Sequence, residues 1–586
     1  MAYRFLATVC SWLLTLQVMA QYDLYVSVFQ GGTLKETVEA VAEDAVSTIG
    51  SMKVNGPING TDMMFIREMC GVRDLDTPTG GQLKILDLTN ANVVASPEVY
   101  LSMYGVDFST QEGHFGSGFL YNCTQLEELL LPMDIISIDT LALAMCTSLK
   151  EVLIPADVER IGFGAFYGCS SIKSLDVPDM VSVIEEGAFQ NMKALEELFL
   201  GNAVTTLDNA AILGDNLLKG ITLGEGFREF SPVLFYNSPS LANINVTPGN
   251  PYFSSWEGVL FSSGRDSLLA FPPSYQATEY EIPEGVSRVS PYAFCMASDL
   301  QSVSMPASLQ VIDTLAFFGC HSLADVHLNE GLRTLRFGAF ASVLGEEPAL
   351  VTMNLPSTMD EIEGGAFLFQ TALLNVSDQS EHYMTNESGM LYDKTGKVIC
   401  YVPCNISHMV LPQTVDSVAP FAFAGSSMEN IYLGDGVKKV GDGAFFCAGA
   451  SLITLGRGVE RLGALLIDGC SGLKALRCYS SPDDAMISSE AFRDKEGDVA
   501  RQCVLYVLPG KTADYMQKRG FVGAEGNSYF FAIREMDDAD HLETPVKDHV
   551  FKGKVYDWNG RRISSSKRGA RIVTLPDGKG IKVFGK

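Results

Sequence analysis

The sequence predicts a β-rich repeat solenoid of leucine-rich-repeat type with a period of about 23 residues. Three observations carry that prediction. The series Cys146-Thr-Ser-Leu-Lys-Glu-Val-Leu-Ile-Pro, followed by Val158, Ile161 and Ala165-Phe166, restarts at Cys169 and runs through Ile172, Leu175, Val177 and Pro178 to Ala188-Phe189. Each unit holds an L-x-x-L-x-L core that cannot bury its apolar side chains alone, whereas stacked units can. An Ala-Phe step recurs at Phe166, Phe189, Phe294, Phe317, Phe340, Phe367, Phe423, Phe445 and Phe492. A small residue beside a large one, repeated at one position, is what a packed phenylalanine spine requires.

From the N-terminus, Arg4, the apolar stretch Phe5 to Leu16 and Val18-Met-Ala20 read as a signal peptide over residues 1–20. The run is too short to anchor a chain across a bilayer, and no later run reaches 18 apolar residues, so no membrane span is expected. Residues 21–122 fall outside the period and are expected to cap the first turn. Within them Tyr22 to Val28 alternates as a strand does, Thr33 to Ile49 has helical spacing, Asn59 is placed to N-cap a short helix over Met63 to Met69, and Leu83 to Leu88 alternates again.

The solenoid is expected over 123–535. Its units start at Cys123, Cys146, Cys169, Met192 and Asp215, and inward pairs such as Leu129/Leu131 and Leu198/Leu200 alternate with outward residues. Pro132, Pro155 and Pro178 end strands because proline cannot donate to the ladder. Two segments, at about 248–275 and 380–404, break the register as β-hairpin insertions, each an alternating run, a Gly-containing turn and a second alternating run. Residues 536–550 read as a linker, and 551–586 as a small three-stranded module. That module carries ten Lys/Arg against two Asp/Glu.

The mature chain has 41 basic and 70 acidic residues, a balance that repels phosphate backbones and argues against nucleic acid. Twelve cysteines remain after residue 20. Those at unit starts read as stacked buried thiols used as small hydrophobes, with Cys400 and Cys404 the best candidates for a disulfide. No C-x-x-C pair, Gly-x-Ser-x-Gly or His-Glu-x-x-His motif occurs. Gly510-Lys511-Thr512 lacks the first glycine of a phosphate loop, and His321 and His327 each stand among small and apolar neighbours. The reading is therefore a protein without catalytic, cofactor or metal residues.

The Cys-x-Ser-Leu-x-x-Val-x-Ile-Pro…Val-x-x-Ile-x-x-Gly-Ala-Phe pattern closely resembles the BspA-type (treponemal-type) leucine-rich repeat family over roughly residues 120–535. The two insertions resemble that family's Asn-Pro-x-x-x-x-x-x-Gly-Val-Leu-Phe segments, and Cys503-Val-Leu-Tyr-Val-Leu-Pro-Gly its terminal element. Val555-Tyr-Asp-Trp-Asn-Gly-Arg-Arg-Ile is similar to C-terminal sorting or attachment modules of exported bacterial proteins, which usually carry Gly-Ile-Tyr-Ile where this chain has Gly569-Ala-Arg-Ile572. The resemblance implies an exported, cell-surface-associated adhesion protein that binds a host-matrix or bacterial surface protein, or a glycan. A glycan-processing protein and a structural surface-layer component are the alternatives. Partner contact is expected from Leu130, Leu153 and Phe199, which alternation turns outward from the sheet, and from Tyr252, Phe253 and Trp256 on the first insertion.

Overall fold

The computed structural model describes residues 22–536, apart from 104, 236–237, 481–485, 496 and 524–526, together with four short strands beyond residue 554. The signal-peptide reading and most of the 536–550 linker lie outside the described residues.

The long face of the molecule is a parallel ladder. Leu24–Ser27, Ser51–Ile58, Ile85–Val93, Glu128–Leu130 and Glu151–Leu153 follow one another in a single sheet. One inward column runs through it: Leu24 beside Met52, Met52 beside Leu86, Leu86 beside Leu129, Leu129 beside Val152. The N-terminal segment is thus built as further turns of the same ladder. Two helices bridge its strands, α1 (Leu34–Ala42) and α2 (Gly60–Met69). The helical spacing expected to continue to Ile49 breaks at Glu43, whose φ of 48° ends α1, and Glu43–Thr48 tightens into a 3-10 turn.

Asn59 caps α2 as its sequence predicts. Its Oδ1 accepts from Thr61 and Asp62 N–H groups, while Asp62 accepts from Asn59 N–H. Buried Asp62 also accepts from Gly32 and Leu34 N–H groups (2.6 and 2.9 Å), so one carboxylate fixes the starts of both helices. Arg67, equally buried, donates to the carbonyls of Gly118 and Tyr121 (3.1 and 2.9 Å) and ties α2 to the first repeat.

On the opposite face two-residue strands stack in the same order, beginning with His114–Phe115, Ser137–Ile138, Arg160–Ile161 and Val183–Ile184. Stacking on this face therefore starts before Cys123. The turns joining the faces hold the Ala-Phe steps, and each bonds to the next: Phe294 N–H to Ala316 O (2.7 Å), Phe317 N–H to Ala339 O (2.9 Å). Phe271, Phe294, Phe317, Phe340 and Phe367 form a stack with centroid spacings of 4.6, 4.6, 5.1 and 6.1 Å and interplanar angles of 25°, 14°, 6° and 8°. Phe271, preceded by Ala270 at the end of the first insertion, is a further Ala-Phe step beyond the nine named from the sequence. Phe166 and Phe189, in the first repeats, sit 6.0 Å apart at 40°.

The unit-start thiols are free and donate back to the preceding turn, Cys146 to Leu120 O, Cys169 to Leu143 O and Cys320 to Phe294 O, each at 3.1 Å. Burial pushes the Cys169 thiol up to about 12, consistent with its use as a small hydrophobe. Cys400 and Cys404 are likewise separate thiols, Cys404 donating to Ala424 O at 3.1 Å, which corrects the disulfide expectation. Asp215 occupies the same position in its unit. One of its carboxylate oxygens accepts from Met192 N–H (2.6 Å), the other has no partner, and burial pushes its pKa up to about 8.

Two left-handed positions per turn set the lateral fit. Met145 (φ 64°) leans on Gly168 of the next turn, where a Cβ would lie 2.7 Å from the Met145 sulfur. Leu315 (φ 55°) leans on Gly338 in the same way, at 2.5 Å. Large and glycine side positions thus mate across neighbouring turns.

The insertions are each three-stranded rather than two-stranded. Phe253–Trp256 and Val259–Ser262 pair antiparallel around the turn Glu257-Gly258, both at positive φ (51° and 80°), which suits the twist of a two-residue hairpin. The third strand, Ser267–Ala270, pairs antiparallel with the second and then parallel with Arg288–Val289, so it restarts the short-strand face. Tyr383–Thr385, Leu391–Asp393 and Val398–Tyr401 repeat the plan. The solenoid closes with Val504–Val507 and Ala532–Glu535. Beyond residue 554 the order is four antiparallel strands, Arg562–Ile563 being added to the three the sequence predicts.

Candidate ligand-binding surface

The outward residues of the long sheet form a row in register. Asp87 lies beside Leu130 and Leu130 beside Leu153; further along, Asp176 lies beside Phe199, Phe199 beside Thr222 and Thr222 beside Asn245. Alternation places them there, because their neighbours Leu129, Leu131, Leu198 and Leu200 are buried. Leu130 is 39% exposed and Leu153 59%, while Phe199 is half-buried.

The row is bordered by charge. Lys84 and Lys150 both pair with Glu127, whose carboxyl their hydrogen bonds hold down at about 2, and Lys219 pairs with Glu196 at 2.7 Å. At its N-terminal end, Asp87 accepts from Tyr22 Oη (2.8 Å) and Lys53 Nζ (2.7 Å). Within the row Leu130 and Leu153 form an adjoining apolar pair, with Asp87 next to it and lysine–glutamate pairs along the border.

The first insertion divides its aromatic residues between two sides. Tyr252 and Trp256 are each 49% exposed, and the Arg265 guanidinium lies 4.9 Å from the Trp256 ring. Phe253, expected to join them, turns to the solenoid and packs on Phe227 (6.0 Å) and Phe230 (6.3 Å). The two-residue period of a strand requires that split.

A cleft of about 320 Å³ opens where the insertion interrupts the long sheet, between Ala242-Asn243 and Tyr275-Gln276-Ala277. Sequence reasoning missed it because its walls lie some thirty residues apart and no motif links them. Beside the second insertion a smaller space of about 30 Å³ lies near Phe367, Tyr401 and Phe421.

Among the described residues no group of three or more His, Cys, Asp or Glu converges to hold a metal ion. His321 and His327 do not stand alone as expected. His321 Nδ1 lies 2.6 Å from Glu346, and His327 Nε2 lies 3.0 Å from Asp325. Lys511 of the phosphate-loop-like stretch pairs with Asp514 (2.9 Å) at the start of a short helix. No helix among the described residues is long and apolar enough to cross a membrane.

Comparison with known proteins gives one family. The BspA type leucine rich repeat region matches in six copies over residues 113–249, 269–388 and 396–497. No curated protein matches the chain. Among solved structures, a leucine rich cell surface protein of Faecalibacterium prausnitzii is 18% identical, covering 61% of this chain and 80% of its own, with a TM-score of 0.33. A leucine-rich repeat protein of Bacteroides ovatus is 20% identical, covering 62% and 76%, with a TM-score of 0.32. The pneumococcal vaccine antigen PcpA is 15% identical, covering 83% and 80%, with a TM-score of 0.28. The family match spans more than half of the chain: the protein belongs to the BspA-type leucine-rich repeat family.

Proposed function

We propose that this protein is an exported, surface-associated binding protein that holds a protein partner on the outward row of its long sheet. The mechanism is non-covalent. A rigid ladder presents Leu130, Leu153 and Phe199 in fixed register, and a few apolar anchors within a charged rim supply most of the affinity.

The observation that supports this most directly is the exposure of Leu130 and Leu153, which lie side by side on a face where the middle repeats carry Ser304, His327 and Asn354. Exposed apolar residues that adjoin one another mark contact sites more often than scattered ones do. Export is supported by the Arg4 to Ala20 segment, and surface retention by the basic module at 551–586.

The test is a binding panel of immobilised host-matrix and bacterial surface proteins. A partner captured by the native chain should be lost when Leu153→Asp and Phe199→Asp are combined, with the melting curve preserved. Capture that survives both substitutions would move the site elsewhere.

A further inference from the structure

The two insertions are the same backbone unit, and hydrogen bonds align them residue by residue. Val246 N–H donates to Ser255 Oγ (3.0 Å) as Val376 N–H donates to Thr385 Oγ1 (3.2 Å). Ile244 N–H reaches Gly258 O (2.8 Å) as Leu374 N–H reaches Gly389 O (3.2 Å). Tyr275 N–H bonds Pro272 O (3.1 Å) as Ile406 N–H bonds Pro403 O (3.2 Å). Asn243 therefore stands where the second copy has Leu373, Tyr275 where it has Ile406, and Trp256 where it has Asn386. One backbone carries two chemistries, and an open cleft lies at the polar, aromatic copy.

We infer that the cleft between Asn243 and Tyr275 binds an uncharged pyranose unit of a polysaccharide. The Tyr275 ring is held from behind by Phe271 (4.7 Å between centroids) and Tyr280 (5.7 Å), which makes it a fixed half-exposed platform for the C–H face of a sugar. Asn243 and Gln276, both exposed, each bring an amide that donates and accepts, the pairing that vicinal hydroxyls require. The hairpin turn abuts the same wall, since a Cβ at Gly258 would lie 2.9 Å from Asn243 Oδ1, and so Trp256 and Glu257 belong to the cleft's surroundings. The volume of about 320 Å³ falls at the small end of the range of about 300–1,000 Å³ for small-molecule sites, which suits a short stretch of glycan. A chain with a net charge of −28 disfavours uronate or sulfate groups, and neutral sugars follow.

The inference is independent of the protein-binding row. Its test is affinity electrophoresis of the full chain through gels containing amylopectin, galactomannan, xyloglucan or mixed-linkage β-glucan, with polygalacturonate as the anionic arm. At least one neutral polysaccharide should retard the native chain. Combining Asn243→Leu with Tyr275→Ile, which writes the second copy's residues into the first, should weaken that retardation at least tenfold. Should that variant fail to fold, the exposed pair Asn243→Ala and Gln276→Ala reads the same loss. Leu153→Asp with Phe199→Asp should leave the retardation unchanged. Failure of every neutral polysaccharide to retard the native chain, retardation by polygalacturonate alone, or equal retardation of native and cleft variants would overturn the assignment.

Discussion

The first repeats and the middle repeats share a ladder but divide its work. In the middle, Phe294, Phe317, Phe340 and Phe367 lie within 14° of parallel, and the outward row is polar: Glu281, Ser304, His327, Asn354 and Asn375. In the first repeats the spine pair Phe166 and Phe189 is tilted by 40°, a carboxyl replaces a thiol at Asp215, and leucines face solvent. The outward row of the better-packed block is polar at these positions, and that of the less regular block carries Leu130, Leu153 and Phe199 among polar residues. On the proposed function, rigidity and recognition are thus concentrated in different repeats.

The largest effect expected from this contrast is on stability. Phe317→Ala should destabilise by about 3–5 kcal/mol, read as a shift in the urea midpoint. It should exceed Phe189→Ala by about 1 kcal/mol, because Phe317 loses two near-parallel ring contacts. Equal losses would erase the distinction between the blocks.

A smaller effect is tied to pH. Asp215 has its folded pKa, about 8, above the unfolded value of 3.8, so its protonated form favours the fold. The stability it permits is fully present below the unfolded pKa and is lost as pH rises through the folded one. Asp215→Asn should therefore gain on the native chain by about 2–3 kcal/mol between pH 5 and 7, and the gap should level off above pH 8. Parallel melting-temperature profiles across that range would show instead that the carboxyl is solvated in the folded chain.

Smaller still are the effects on the fold of changes aimed at function. Leu153→Asp with Phe199→Asp should move the melting temperature little while costing at least tenfold in partner affinity; a collapsed solenoid would show that these side chains face the core. Removing residues 551–586 should leave the melting curve of the solenoid intact and release the protein from the cell surface, as followed by fractionation. Full retention of the truncated chain would exclude a sorting role for the module.

Much of this architecture is legible from the sequence because repetition multiplies a weak local signal. Alternation at Leu129/Leu131 means little alone but fixes a sheet when it recurs every turn, and Asn59 with Asp62 announces its capping box directly. Where repetition stops, legibility falls. Ser51–Ile58 joins the ladder, yet Gly56-Pro57 hides its alternation; Gly56 is needed there because a Cβ would lie 2.0 Å from Val28 O. The hairpin Ser96–Met103 with Val106–Thr110 contains register shifts that blur its two-residue period and hide it in the sequence. Phe271 joins the spine through its own Ala270-Phe271 step, one repeat period before Phe294, and the insertion strand Ser267–Ala270 that leads into it masks the repeat to which it belongs. Of the candidate contact residues, strand parity finds Leu130, Leu153 and Trp256 and separates Phe253 from them. Asn243 and Tyr275 meet only in three dimensions.

The mating of large and glycine positions also constrains how such a gene can change length. Along one edge the order is Met145, Gly168, Asn191, Gly214, with each large side chain seated on the glycine that follows. Excising a single unit containing Gly168 would bring Met145 against Asn191, a large side chain on a large one as Asn122 and Met145 already stand, and would lose the seat on glycine. Excising two adjacent units would bring Met145 onto Gly214 and restore the fit. In this part of the solenoid, losing two repeats is therefore expected to cost less in lateral fit than losing one.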